Sequence, residues 1–106
     1  MASDSRAVIW STDAERDTDD IWNYLVSEAT SAVADPALRE IARVCRLLER
    51  HPFAGRPRDS LIPGMRSILA HPYVIFYRVT ALNVEIVRVL HQRRDIEAIF
   101  EHDNDR

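Results

Sequence analysis

With 106 residues, 46% of them hydrophobic and 29% charged, the chain carries enough apolar material for one soluble domain, and its single cysteine excludes an internal disulfide. The longest strongly apolar run, around Val74–Tyr77, is too short to cross a bilayer, and no leader-like segment opens the chain, so a cytoplasmic protein with no membrane contact is expected. A formal net charge of −3 hides a segregated pattern: residues 1–35 hold eight acids against two arginines, residues 36–94 eleven arginines against four acids, and residues 95–106 five acids against one arginine.

In chain order, Ala7–Trp10 is an apolar run that can form a first strand, ended by Ser11–Thr12. Thr12 followed by Glu15 fits a capping box, and Asp13, Glu15 and Asp17 suit the positive end of a helix, so a helix is expected from near residue 13. Its apolar positions Ala14, Ile21, Trp22, Tyr24, Leu25, Val26 and Ala29 span an arc wide enough to touch two neighbours. Thr30–Asp35 reads as a turn, with Asp35 as the N-cap and Pro36 at the first position of a second helix reaching about Arg50. Leu38, Ile41, Ala42, Cys45 and Leu48 form its inner stripe, which makes Cys45 a small buried hydrophobe. Arg39, Arg43, Arg46 and Arg50 form a separate cationic stripe, read as a solvated face. The short connection makes the two helices an antiparallel hairpin.

HPFAGRPRD (His51–Asp59) is a loop, Pro63–Gly64 turns the chain into a strand at Met65–Ala70, and His71–Pro72 reverses it. Tyr73–Val79 and Val84–His91 are dense in β-branched and aromatic residues and form a hairpin across Thr80–Asn83, where Asn83 is able to take a left-handed turn conformation. Alternation puts Tyr73, Ile75, Tyr77 and Val79 on one face and Val74, Phe76 and Arg78 on the other, so the strand is apolar on both sides. If the helices cover one face, the other calls for a partner or for burial within the fold itself, and both readings stand at this point. Arg93–Arg94–Asp95 reads as a turn with Asp95 capping a short last helix, anchored by Phe100. The expected class is α+β: a strand, a helical hairpin, a three-stranded antiparallel meander and a short C-terminal helix, the first strand joining at a sheet edge. One domain, 1–106, is expected, its core from about residue 7 to residue 101 and its polar ends, Met1–Arg6 and His102–Arg106, loose.

The chemistry-bearing residues narrow the function. His51, His71, His91 and His102 lie far apart and no cysteine pair exists, so no metal is expected; neither Gly55 nor Gly64 belongs to a phosphate loop, and no cofactor is expected. All fourteen basic residues are arginine. Guanidinium forks suit bidentate contacts with carboxylates or phosphates, so the basic middle segment fits an acidic protein or a nucleic acid. The end of the last strand and the turn beyond it, His91, Arg93 and Arg94, gather these groups, with Arg66, Arg78 and Arg88 in support. Arg78 and Arg88 also have a plain role as strand cations that block edge pairing, and Trp10 and Trp22 as packing aromatics.

Taken with WSTDAERDTDDIWNYL (Trp10–Leu25), HPFAGRPRD, PGMRS (Pro63–Ser67), VIFYRV and EIVRVLHQRRDIEAIF, this order of elements resembles the ParE branch of the RelE/ParE superfamily of bacterial toxins over nearly the whole chain. The resemblance implies the toxin of a type II toxin–antitoxin system. Its cognate partner would be a ParD-like antitoxin with a ribbon-helix-helix DNA-binding part and a C-terminal segment that wraps the toxin, so that DNA is met only through the antitoxin. DNA gyrase is the implied target, bound by His91, Arg93, Arg94, Arg66, Arg78 and Arg88 without catalysis. Trp22, Tyr73, Ile75 and Tyr77 form the expected antitoxin surface. The alternatives are a ribosome-dependent messenger-RNA endoribonuclease and a non-toxic interaction module. A nuclease would use His91, Arg66 and Arg88, but Gln92 stands where some nucleases of the superfamily carry a tyrosine, and the lysines that others use are absent.

Overall fold

The computed structural model describes residues 5–104, so much of the expected loose ends lies outside the described residues. The elements are β1 (Ala7–Trp10), α1 (Thr12–Glu28), α2 (Ser31–Arg50), β2 (Arg56–Pro57), β3 (Met65–Ala70), β4 (Tyr73–Val79), β5 (Asn83–His91) and α3 (Ile96–Asn104). They build one sheet in the order β1-β5-β4-β3-β2, parallel between β1 and β5 and antiparallel elsewhere. The α+β class, the meander and the edge position of β1 are as expected. The rung β2, pairing Arg56 with Ser67 and Pro57 with Arg66, is too short to leave an alternation in the sequence. At its other end, α3 runs on to Asn104, into the tail expected to be loose.

Three local expectations need correction. Ser11, not Thr12, caps α1: its backbone is extended (φ −68°, ψ 159°) and its hydroxyl accepts the Ala14 N–H at 3.0 Å, which leaves Thr12 already helical. The second helix begins at Ser31 behind Thr30, whose carbonyl accepts from Val33 and Ala34. Pro36 therefore lies inside α2, and Asp35 pairs with Arg39 one turn on at 2.9 Å instead of capping. No residue other than glycine has positive φ among the described residues, so Asn83 is not left-handed. The hairpin closes instead through Thr80, whose N–H donates to the Asn83 carbonyl at 2.8 Å and whose hydroxyl accepts the Asn83 N–H at 2.9 Å. Gly64 does take the left-handed region (φ 82°), its N–H held by Asp59 at 2.9 Å, as the Pro63–Gly64 turn requires.

Both faces of β4 are buried by the chain itself. The helical hairpin lays Ala14, Ile41, Val44, Cys45 and Leu48 on Tyr73, Ile75, Tyr77, Val84, Ile86 and Val89. On the opposite face Met65, Phe76, Leu90 and Phe100 form a second cluster, closed by Leu61, Ile62, Ile96 and Ile99. Phe100 meets Phe76 edge to face at 4.9 Å. Of the two readings open from sequence, burial within the fold holds, and α3 supplies the cover. Cys45 is buried as expected, and desolvation pushes its thiol up to about 12, so it carries negligible thiolate near neutral pH.

At the end of the sheet where β4 finishes, Gly55 tucks under β4. Its N–H donates to the Tyr77 hydroxyl at 2.8 Å, and a Cβ there would stand 2.5 Å from the Ser67 carbonyl oxygen and 2.6 Å from the Tyr77 hydroxyl. Backbone and buried ring cannot both yield. At the opposite edge, β1 stops level with Ile86 while β5 continues to His91. The open edge is met by α1: Ser11 N–H donates to the Ile86 carbonyl at 2.9 Å, the Ser11 hydroxyl to the Val87 carbonyl at 2.8 Å, and Asp17 Oδ2 accepts the Val89 N–H at 2.9 Å. Asp17 also takes Arg88 in a two-pronged ion pair, Nε to Oδ2 at 2.8 Å and Nη2 to Oδ1 at 3.0 Å.

Two predictions follow from these contacts. Gly55→Ala lowers unfolding stability by about 1–3 kcal/mol through overpacking, measured by urea denaturation, and an unchanged midpoint would show that the loop can move aside. Asp17→Ala strips the Val89 N–H and Arg88 of their shared acceptor and costs about 2–4 kcal/mol. Faster amide exchange at Val89 than in the wild-type chain is the local readout.

Candidate functional site

Past the Asp17 anchor, α1 runs beyond the end of β5, and the space between them is a cleft of about 390 Å³. Asp17, Asp20, Ile21 and Tyr24 line one wall; Tyr73, Val89, Leu90, His91 and Arg94 line the other. The α1 residues sit at i, i+3, i+4 and i+7, one face of a helix, so a face so placed is built by helical periodicity alone. Apolar walls with a few polar groups at the mouth suit an inserted side chain.

A bulge shapes the second wall. Phe76 pairs with Arg88 and Tyr77 with Ile86, so Val87 is extra and the alternation of β5 resets. Ile86 and Val89 both reach the helical hairpin's core in consequence, and His91 follows onto the same side. The imidazole is fixed on two sides: its Nδ1 accepts the Arg93 N–H at 3.1 Å, and its ring stands at 85° to Tyr73 with centroids 5.5 Å apart. With Nδ1 engaged as an acceptor, a neutral His91 carries its proton on Nε2. The Arg94 N–H returns to the His91 carbonyl at 2.9 Å, which tightens the turn, and Asp95 caps α3 through the Ala98 N–H at 3.2 Å, as its position suggested. Burial and, secondarily, Tyr24 raise the Tyr73 phenol above its ordinary pKa, so it stays protonated and able to donate.

The structure separates the residues grouped from sequence. His91, Arg93 and Arg94 do share the strand end, with both arginines exposed. Arg78 pairs with Glu85 across the hairpin at the far end of β4. Arg66 donates Nε and Nη2 to the Gly55 carbonyl at 3.1 and 2.7 Å, and Nη2 also reaches the Phe53 carbonyl at 3.2 Å, holding the loop before β3. Arg88, with its side chain 16% exposed, is engaged with Asp17. Ile75 and Tyr77 are fully buried and Tyr73 nearly so, under the chain's own helices. Of the expected antitoxin set only Trp22, 37% exposed, offers a surface, with Val26 one turn further along α1. Sequence reasoning does not find the α1 wall of the cleft, because Ile21 and Tyr24 fall in the apolar arc of the helix, Asp17 among its first-turn acids and Asp20 on its polar side. The signal was the spacing of Asp17, Asp20, Ile21 and Tyr24 along one face.

Comparison with known proteins accounts for this architecture. Residues 8–96 match the profile of a family described as the ParE toxin of the type II toxin–antitoxin system parDE. The chain is 36% identical to toxin ParE1 of Caulobacter vibrioides over 85 residues, 80% of this chain and 88% of that protein. It is 33% identical to toxin ParE1 of Mycobacterium tuberculosis, again over 85 residues, 79% of this chain and 87% of that protein. A solved structure of the chromosomal ParDE toxin–antitoxin system of P. aeruginosa superposes with a TM-score of 0.74 at 25% identity, covering 84% of this chain and 98% of the other. With its sequence matched from β1 to the start of α3 and its fold shared with solved relatives, the chain belongs to the ParE toxin family of the RelE/ParE superfamily.

Proposed function

We propose that this type II toxin acts by binding DNA gyrase without catalysis, and that a cognate ParD-like ribbon-helix-helix antitoxin neutralises it in the cytoplasm. The observation that carries the reading is the dispersal of the groups an RNA-cleaving site needs. Arg66 is spent on loop carbonyls and Arg88 on Asp17, so both guanidiniums that a nuclease would turn on a phosphate are engaged with acceptors of the chain itself. What remains at the strand end is a cleft with exposed guanidiniums at its mouth, a form suited to gripping a protein side chain and nearby carboxylates. The antitoxin's amphipathic segment lies, on this reading, along the exposed outer side of α1 at Trp22 and Val26, since the β4 residues are already covered.

The test pairs two assays on the purified chain: supercoiling by gyrase, and cleavage of messenger RNA on translating ribosomes. Gyrase inhibition without cleavage is expected. Arg93→Ala/Arg94→Ala weakens inhibition at least tenfold while the melting curve stays close to wild type, because exposed substitutions usually change stability by about 0.5 kcal/mol or less. Full inhibition by the double variant would move the gyrase-binding surface elsewhere, and ribosome-dependent cleavage would replace this reading with the nuclease one.

A further inference from the structure

The end of the sheet opposite the cleft carries a second feature, outside the antitoxin and gyrase surfaces proposed above. Phe53, in the loop after α2, is 58% exposed, and two guanidiniums lie over its ring: Arg6 at 5.7 Å and Arg66 at 5.4 Å from the centroid. Both are held by carbonyls, Arg6 Nε by Thr80 at 3.0 Å and Arg66 by Gly55 at 2.7 Å, which orients the cations without neutralising them. Arg50 is exposed at the end of α2, three residues before Phe53, while across the β2 edge, on the α3 face, Arg56 is exposed opposite Ser67 and Arg58 lies over Phe76 at 5.5 Å with Nη1 on the Ser67 hydroxyl at 3.3 Å.

Four of the other arginines are answered by carboxylates elsewhere in the fold. Arg39, Arg43, Arg78 and Arg88 each pair with a carboxylate. Among the described residues no carboxylate pairs with the arginines of this rim, and Asp59 is turned to the Gly64 N–H. Burial and, secondarily, the neighbouring Arg56 lower the Arg58 pKa, with Glu97 opposing. The rim lies at the Thr80 end of β4 while the cleft lies at the Tyr73 end, six residues or about 20 Å away.

We propose that this rim is a binding site for single-stranded nucleic acid, with the Arg6–Phe53–Arg66 stack receiving a base, Arg50 a phosphate on the same side, and Arg56 and Arg58 the phosphates of the strand as it crosses the β2 edge. Flat, preorganised π and guanidinium surfaces next to unneutralised cations are what an unpaired strand recognises. Duplex DNA presents only its phosphates to such a rim and leaves Phe53 against water. An acidic peptide uses the charges but not the flat stack.

Fluorescence anisotropy with labelled 15-mers of dT and of U, at 50 mM salt, tests the site on the full chain. Binding in the micromolar range is expected, weakening with salt at a log–log slope of about −2 to −3, as three or four phosphate contacts imply. In Arg50→Ala/Arg56→Ala the Kd rises at least tenfold, in Phe53→Ala several-fold, and in Arg39→Ala/Arg43→Ala it stays unchanged, with melting curves checking that each variant folds. A 15-bp duplex competes at least fivefold less well than dT. The proposal is overturned by a flat signal to 50 µM chain, by unchanged affinity in the Arg50/Arg56 variant, or by poly-glutamate or duplex competing as well as the single strand. Gyrase inhibition measured on the same variants is read separately, and either result can fail while the other stands. The dT and U arms report whether DNA or RNA is preferred.

Discussion

The fold depends on how the edge of β5 is completed after β1 runs out. Four residues of β1 pair with Asn83–Ile86, and beyond them the strand would show unpaired backbone groups to water or to another chain. The Ser11 backbone and hydroxyl take the next two carbonyls, and Asp17 takes the Val89 N–H and the Arg88 guanidinium. A helix therefore acts as the missing strand. This pins α1 along the sheet edge and sets its overhang past His91, so the cleft is a consequence of β1 being short and α1 being long.

A second constraint is the scarcity of cover in so small a chain. A central strand buried on both faces needs two layers, and the helical hairpin supplies only one. The last helix supplies the other with Phe100, Ile96 and Ile99, while Leu61 and Ile62 in the loop between β2 and β3 close the margin. Since Ile75 and Tyr77 are consumed by this packing, recognition surfaces are left to helix outer faces and to the two ends of the sheet.

The charge segregation in sequence becomes a spatial sorting in the fold. Acidic α1 meets β5 through Asp17 and Arg88, an ion pair shielded enough from water to matter for packing. The pairs at Arg39, Arg43 and Arg78 are exposed and contribute little stability, though they do neutralise local charge. Of the arginines without a carboxylate partner, Arg93 and Arg94 lie at one end of the sheet and the loop arginines at the other.

The sequence by itself determined every element but the two-residue β2, the class and the family resemblance, because hydrophobic period and proline and glycine punctuation act over a few neighbouring residues. It also determined that β4 is apolar on both sides and that Asp95 caps the last helix. Only the tertiary structure decided what covers that second face, since whether α3 folds back on it or a partner does depends on chain path, which periodicity does not encode. The roles of the arginines were decided there too. Arg66, Arg78 and Arg88 look alike as strand cations, and what distinguishes them is a carbonyl, a cross-strand carboxylate and an aspartate 71 residues away. A guanidinium's function follows from which acceptor reaches it, and long-range acceptors are placed by packing.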